Sequence, residues 1–471
     1  MSGDTNSSSP KLVNYFSIPT SFKLTQVDGK TSLKPNIEPD VNKGLASFSP
    51  IPAISNRLAT YALSSNDSES FAPISERNEQ NNEPVEGEFN ILAKFIGHFH
   101  GAGLNMIFRP SWGNNRRNNV LEYNLTEEDT EFLEDIGDIY NRGLGRQRDV
   151  ILKGVPYMQR IKDMLNPDSG KADRTDGGIP IHFESGMFLR APPTNIRPVI
   201  SQGTISRLAS IPHGTTINCQ GFEPDMRSPK SGPPDIPKIS ILPFPKGMPD
   251  DVNTFEEFFP QMVNFKKEYD LRIPRSIKNG DVLKTSLMLD PNVMLREFNE
   301  NSTTKNIREY LEFSIHSDPE VSGVPGGGTA NIAFLQGSGA NTAGGNVQNP
   351  GPNAHGVRVG CDYWISTVEY DVLLPEGDFS GDKKKTEEVD SEARKEEKAA
   401  GKIVVSPCFK VELDRVIPPN TIVKLDATQI QYSQNVTLDF DEMGWPHISV
   451  ATLSPKHPVP VKADQIARLL K

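Results

Sequence analysis

Ile430-Gln431-Tyr432-Ser433-Gln434-Asn435-Val436-Thr437-Leu438-Asp439-Phe440 carries the clearest pattern in the chain. Ile430, Tyr432, Val436, Leu438 and Phe440 fall on one side at period two. Gln431, Ser433, Asn435, Thr437 and Asp439 take the other. Successive side chains of a strand point to opposite faces, so the stretch predicts a β-strand with one packed face. The chain then turns at Glu442-Met443-Gly444 and enters a last strand, Pro446 to Leu453. A strand this hydrophobic, left at a sheet edge, would offer unpaired backbone groups to other chains. Closure into a barrel removes the edge, and the sequence is read that way.

Working outward, further strands are predicted at Leu121–Leu125, Val150–Tyr157, Ile181–Leu189, Thr204–Ile211, Tyr310–Ile315 and Gly356–Leu374. Phe95 to Gly103 reads as a strand punctuated by glycines, which mark bends or close backbone approach in a curved wall. Phe255–Tyr269 has helical spacing limited by Pro260, and Ala463–Lys471 reads as a short amphipathic helix. The expected organisation is a disordered or surface-draped arm over 1–85 and a first part of the barrel over 86–224. A proline-rich crossing with a short helix follows over 225–290, then an inserted β region with a glycine-rich loop over 291–381. A charged flexible loop spans 382–402, and 403–471 supplies the closing strands and tail.

Hydrophobic residues make up 35% of the 471-residue chain, beside 37 glycines and 39 prolines, which suggests a real core diluted by irregular stretches. A formal net charge of −11 argues against nucleic-acid and anionic-membrane partners. No apolar run opens the N-terminus and none is long enough to cross a bilayer, so the default compartment is cytoplasmic. The three cysteines, Cys219, Cys361 and Cys408, form no Cys-x-x-Cys pair. They read as buried thiols or, alternatively, as links between chains. No nucleophile elbow, His-Glu-x-x-His or kinase signature occurs, and the reading leans away from an enzyme.

Ile96-Gly97-His98-Phe99-His100-Gly101-Ala102-Gly103 resembles the opening Leu-Gly-x-Trp-x-Gly-x-Gly of the nitrobindins, with Phe99 in place of the tryptophan. Ile181-His182-Phe183-Glu184-Ser185-Gly186-Met187-Phe188-Leu189-Arg190, Ser210-Ile211-Pro212-His213-Gly214 and Trp445-Pro446-His447-Ile448-Ser449-Val450-Ala451-Thr452-Leu453 resemble later strands of that family in the same order. The resemblance implies a mainly β, ten-stranded antiparallel calycin-like barrel with a large insertion or second β unit. It also implies a haem held through His447, with small Ser449 and Ala451 on the same face leaving room for the macrocycle.

Two functions follow. One is a non-catalytic protein holding haem or another apolar ligand in the barrel. The other is a self-assembling structural protein that uses the barrel as scaffold, with Cys219, Cys361 or Cys408 linking subunits. Length and composition also resemble those of fungal crystal-forming proteins, and on that reading the compartment is the vacuole. Of the remaining histidines, His98 with His100 and His182 with Glu184 would chelate a metal if their strands were neighbours. His213 reads as a turn residue, and Arg190 and Arg207 as partners of Glu122 or Glu184.

Overall fold

The computed structural model describes residues 89–110, 119–134, 136–141, 149–166, 169, 171–194, 201–245, 290–300, 302–318, 324–332, 355–440 and 443–470. The arm expected over 1–85 and the helix expected over Phe255–Tyr269 lie outside them, as does most of the glycine-rich loop.

Ten strands close into one antiparallel barrel: β1 (Gly97–Pro110), β2 (Asn119–Phe132), β3 (Val150–Asp163), β4 (Ile179–Ala191), β5 (Thr204–Ile211), β6 (Thr215–Phe222), β7 (Lys305–His316), β8 (His355–Leu373), β9 (Ile422–Phe440) and β10 (Met443–Pro455). Each strand pairs with the next in sequence, and β10 returns to β1 with His447 opposite Ile107 and Leu453 opposite Gly101. The expected mainly β barrel is therefore present. The region 291–381, expected as an insertion, supplies two of its strands, β7 and β8.

Two glycines make the tightest seams. A Cβ on Gly101 would lie 1.9 Å from the Thr452 carbonyl oxygen of β10. One on Gly221 would lie 1.8 Å from the Ser314 carbonyl oxygen of β7, beside the His316–Gln220 pairing that joins β6 to β7. Glycine is required wherever backbones approach this closely.

Inside the barrel, one half of the bore is filled. A 3-10 turn, Asn90–Lys94, sends Ile91 and Leu92, both fully buried, into a core with Phe95, Phe132, Phe188 and Phe313. Phe95 meets Phe132 edge-on at 5.1 Å between ring centres, and Phe313 stacks on Tyr363 at 5.0 Å. Such aromatic pairs add to the stabilisation that burial already supplies.

A second core lies on the outer face of the wall. Leu104, Met106, Tyr123, Trp445, Ile448 and Val450 pack there against Ile236, Ile241 and Leu295. Leu295 belongs to helix α1 (Val293–Phe298). The side of β9 that alternation marks as polar is consequently buried too. Gln431 accepts a hydrogen bond from Asn299 at 2.7 Å and donates to Thr452 at 2.8 Å, while Gln429 donates to Asn299 at 3.1 Å.

Both β8 and β9 run on past the barrel into a small satellite. A three-stranded sheet of Lys385–Asp390, Cys408–Leu413 and Val459–Val461 packs with helices α2 (Glu392–Ala399) and α3 (Ala463–Leu469) around Tyr370, Phe409, Val411 and Ile466. Residues 382–402 are thus not a charged flexible loop. Ser391 caps α2 by accepting from the Arg394 backbone amide, and Ala393 is buried. Glu397 then accepts from the backbone amides of Val405 and Ser406, each at 2.8 Å. These local side-chain bonds order a segment whose composition alone marks it as solvated.

Candidate functional site

The other half of the bore is hollow. A cavity of about 610 Å³ lies there, within the range of small-molecule sites. Alternation on each stave supplies its walls: Ile107, Ile161, Ile211, Val436 and Leu438 are apolar, while Asn105, Asn124, Gln159, Gln434, Ser449 and three histidines are polar. His213 lines the cavity and is also exposed, so the space reaches solvent at the turn between β5 and β6.

His447 stands on β10, between Ile107 of β1 and Val436 of β9 in register. Its Nε2 lies 2.8 Å from Nδ2 and 3.0 Å from Oδ1 of Asn105, so the amide side chain covers that nitrogen. Asn105 is itself held, donating to Ser449 Oγ at 2.8 Å and accepting from Asn124 Nδ2 at 3.2 Å. Burial, reinforced by nearby His182 and His213, lowers the His447 imidazole to about 4. It is therefore neutral at pH 7. The same two causes, burial first, lower His213. Asn124 is 1% exposed, and its Oδ1 has no hydrogen-bond partner among the described residues.

A polar layer lies behind Gln159, Gln434 and Tyr432 of the cavity wall. Arg207 donates to Glu184 at 2.6 Å, to Tyr157 at 2.8 Å, to Tyr363 at 3.0 Å and to Gln434 at 2.6 Å. Burial alone would raise the Glu184 carboxyl, but the guanidinium overrides it and holds the group at about 2. Beside it, Glu128 accepts from Tyr432 at 2.6 Å, Gln159 at 2.7 Å and Thr130 at 2.8 Å. Burial outweighs these donors and raises the Glu128 carboxyl. The layer is a closed network in which one carboxylate is ionised and paired, and the other is drawn toward its neutral form.

Of the residues expected at a ligand site, His447 and Ser449 line the cavity. Ala451, on the same face, is 1% exposed and packed into the filled half, so it frames no pocket. Arg207 pairs with Glu184 as expected, whereas Arg190 pairs with Glu223 at 2.6 Å. His98 and His100 do not join His182 and Glu184. β1 and β4 are separated by two strands, and His98 and His100 face outward while Glu184 faces the bore. Cys219 and Cys361 are buried in the filled half, where burial drives the Cys219 thiol up to about 11 and raises Cys361 as well. All three cysteines are free, and Cys408 alone is partly exposed.

Sequence reading missed Asn105, Asn124, Gln159 and Gln434. The signal was present in β2, where Glu122, Asn124, Thr126, Glu128 and Thr130 alternate with Tyr123 and Leu125. The alternation is correct, but the polar side faces inward and the apolar side lies under the outer cover.

The donor set does not make a haem site as it stands. Asn105 occupies the coordinating nitrogen of His447, and no lysine or arginine lines the cavity among the described residues to meet propionates. No helix among the described residues is long and apolar enough to cross a membrane. No protein-family model and no curated protein matches the chain. The crystal structure of Rv2717c from M. tuberculosis is similar at 8% identity, covering 79% of this chain and 98% of that chain, with a TM-score of 0.26. A likeness of that order carries no argument, so the barrel rests on its own strand pairing.

Proposed function

We propose that this is a non-catalytic binding protein that holds a small ligand in the hollow half of its barrel. The ligand has an apolar body and a hydrogen-bonding head. The observation that carries this reading is the Oδ1 of buried Asn124, which has no hydrogen-bond partner among the described residues, set beside Asn105, Ser449 and neutral His447 in a cavity that Ile107, Ile161, Ile211, Val436 and Leu438 also line. A buried acceptor left unpaired is costly, and a ligand donor would satisfy it. Aliphatic walls favour the ligand's body by burial. With Glu122 on the wall and no lysine or arginine lining it among the described residues, the site favours a neutral or cationic ligand over an anionic one.

Nile red, a neutral apolar dye, tests the site. It should brighten on binding the parent and fail to do so in Ser449→Trp, whose indole fills the cavity. Equal brightening in both variants would remove the cavity from the proposal. Haem is the specific ligand that the nitrobindin resemblance implies, and it would require Asn105 to turn away from His447. On that reading Asn105→Ala should strengthen a Soret band in protein mixed with haem, and His447→Ala should abolish it.

A second reading is self-assembly through the outer wall. Phe183 of β4 and Leu208 of β5 are 42% and 39% exposed there. Cys408, the partly exposed cysteine, would be the one to cross-link such an assembly, in the vacuole or elsewhere. Light scattering that stays monomeric across a concentration series would remove this reading.

A further inference from the structure

We propose that His98, His100, Glu127 and Asp129 form a binding site for a first-row divalent cation such as zinc, on the outer face of β1 and β2. The sheet register builds the cluster. His100 lies directly opposite Asp129, and Glu127 lies opposite Ala102, so period two brings all four side chains to one face of neighbouring strands.

The donor atoms are already gathered. His98 Nε2 is 2.7 Å from Asp129 Oδ1, and His100 Nδ1 is 3.3 Å from Asp129 Oδ2. His100 Nε2 is 4.0 Å from Glu127 Oε1. One donor each from His100, Glu127 and Asp129 lies within 4.8 Å of the other two. A tetrahedral zinc with bonds of about 2.1 Å needs donors roughly 3.4 Å apart. Side-chain rotation covers the difference, because the paired strands already fix the backbone. Small Ala102 leaves the face open above Glu127.

Two further features favour a cation. Imidazole with carboxylate is a donor set that first-row divalent metals accept. The place also already attracts a cation, since Lys456 sets its ammonium 2.5 Å from Asp129 Oδ1. That lysine is 40% exposed at its side chain and can swing into solvent when a divalent ion replaces it. The four donors keep about a fifth to a quarter of their surface, enough for entry without unfolding. The site faces away from the bore, so it stands or falls independently of the cavity.

Titration of the full chain with Zn²⁺ by calorimetry, and with Co²⁺ by visible absorption, tests the assignment. One ion per chain is expected, with Co²⁺ bands of a four-coordinate site. His100→Ala and Asp129→Asn should each weaken binding by about tenfold or more, with circular dichroism unchanged. Lys456→Ala should tighten it, which a merely structural ion pair would not do. Binding should also weaken in acid, because the imidazoles must be deprotonated to ligate. Parent protein that takes up no stoichiometric ion, or a His100→Ala/Asp129→Asn double variant that binds as the parent does, overturns the proposal.

Discussion

Arg207 shows what a single side chain holds in this barrel. It is 3% exposed and meets Glu184, Tyr157, Tyr363 and Gln434 at once, so its removal strands a buried carboxylate. Arg207→Met should lower stability to urea by about 3–5 kcal/mol, and pairing it with Glu184→Gln should recover part of the loss. Acid acts on the same interior. Unfolded, the His447 imidazole takes a proton near its ordinary 6.5, but folded only near 4. Between those values the unfolded chain binds more protons, so stability falls as pH falls. Glu184, held near 2, adds a loss of the same sign at lower pH, while the raised Glu128 carboxyl acts in the opposite direction. In His447→Gln the drop in urea midpoint between pH 6.5 and 4 should shrink; an unchanged drop would mean that His447 protonates freely in the native state. The Arg207–Glu184 pair was legible from adjacent strand candidates. The Asn105 lid on His447 was not, because it joins residues 342 positions apart through a register that no local pattern encodes.

At the scale of the element, the strands were the legible part. Alternation and glycine punctuation placed nine of the ten staves, including Thr204–Ile211 with its bounds unchanged, and left out β6. What alternation cannot give is which side is wet. In β2 and β9 the polar side is buried, inward in one and under α1 in the other, because an outer cover turns a two-sided problem into a three-layer one. The glycine signal in Gly97 to Gly103 does translate into structure: Gly101 is where β10 backbone passes too close for any side chain. Gly101→Val should therefore cost about 3 kcal/mol or more and lose the near-ultraviolet circular dichroism of packed aromatics. Ala102→Val, on the outward side of the same strand, serves as the control. Parent-like melting of Gly101→Val would show that the β1–β10 seam does not close as described.

For the whole molecule, closure of the barrel was the reading on which everything depended, and the pairing of β10 with β1 supplies it. The satellite at the far ends of β8 and β9 was not legible. Its core is assembled from short runs separated in sequence, such as Phe409–Val411 and Ile466. The division between filled and hollow halves predicts thiol behaviour. Cys219 and Cys361 sit among the core aromatics, while Cys408 lies in the satellite. A thiol-reactive dye should label Cys408 alone in native protein, and all three only in denaturant. Rapid native labelling that persists in Cys408→Ser would show that the filled half opens.

The 3-10 turn that buries Ile91 and Leu92 has a further consequence for traffic. With that end stoppered by the described residues and the Arg207–Glu184 layer behind it, this part of the barrel is a cup. Among the described residues the opening lies past the His213 turn, so a guest that enters there leaves there. Through that opening a guest is not pushed out from behind by its successor, and exchange there waits for departure before arrival.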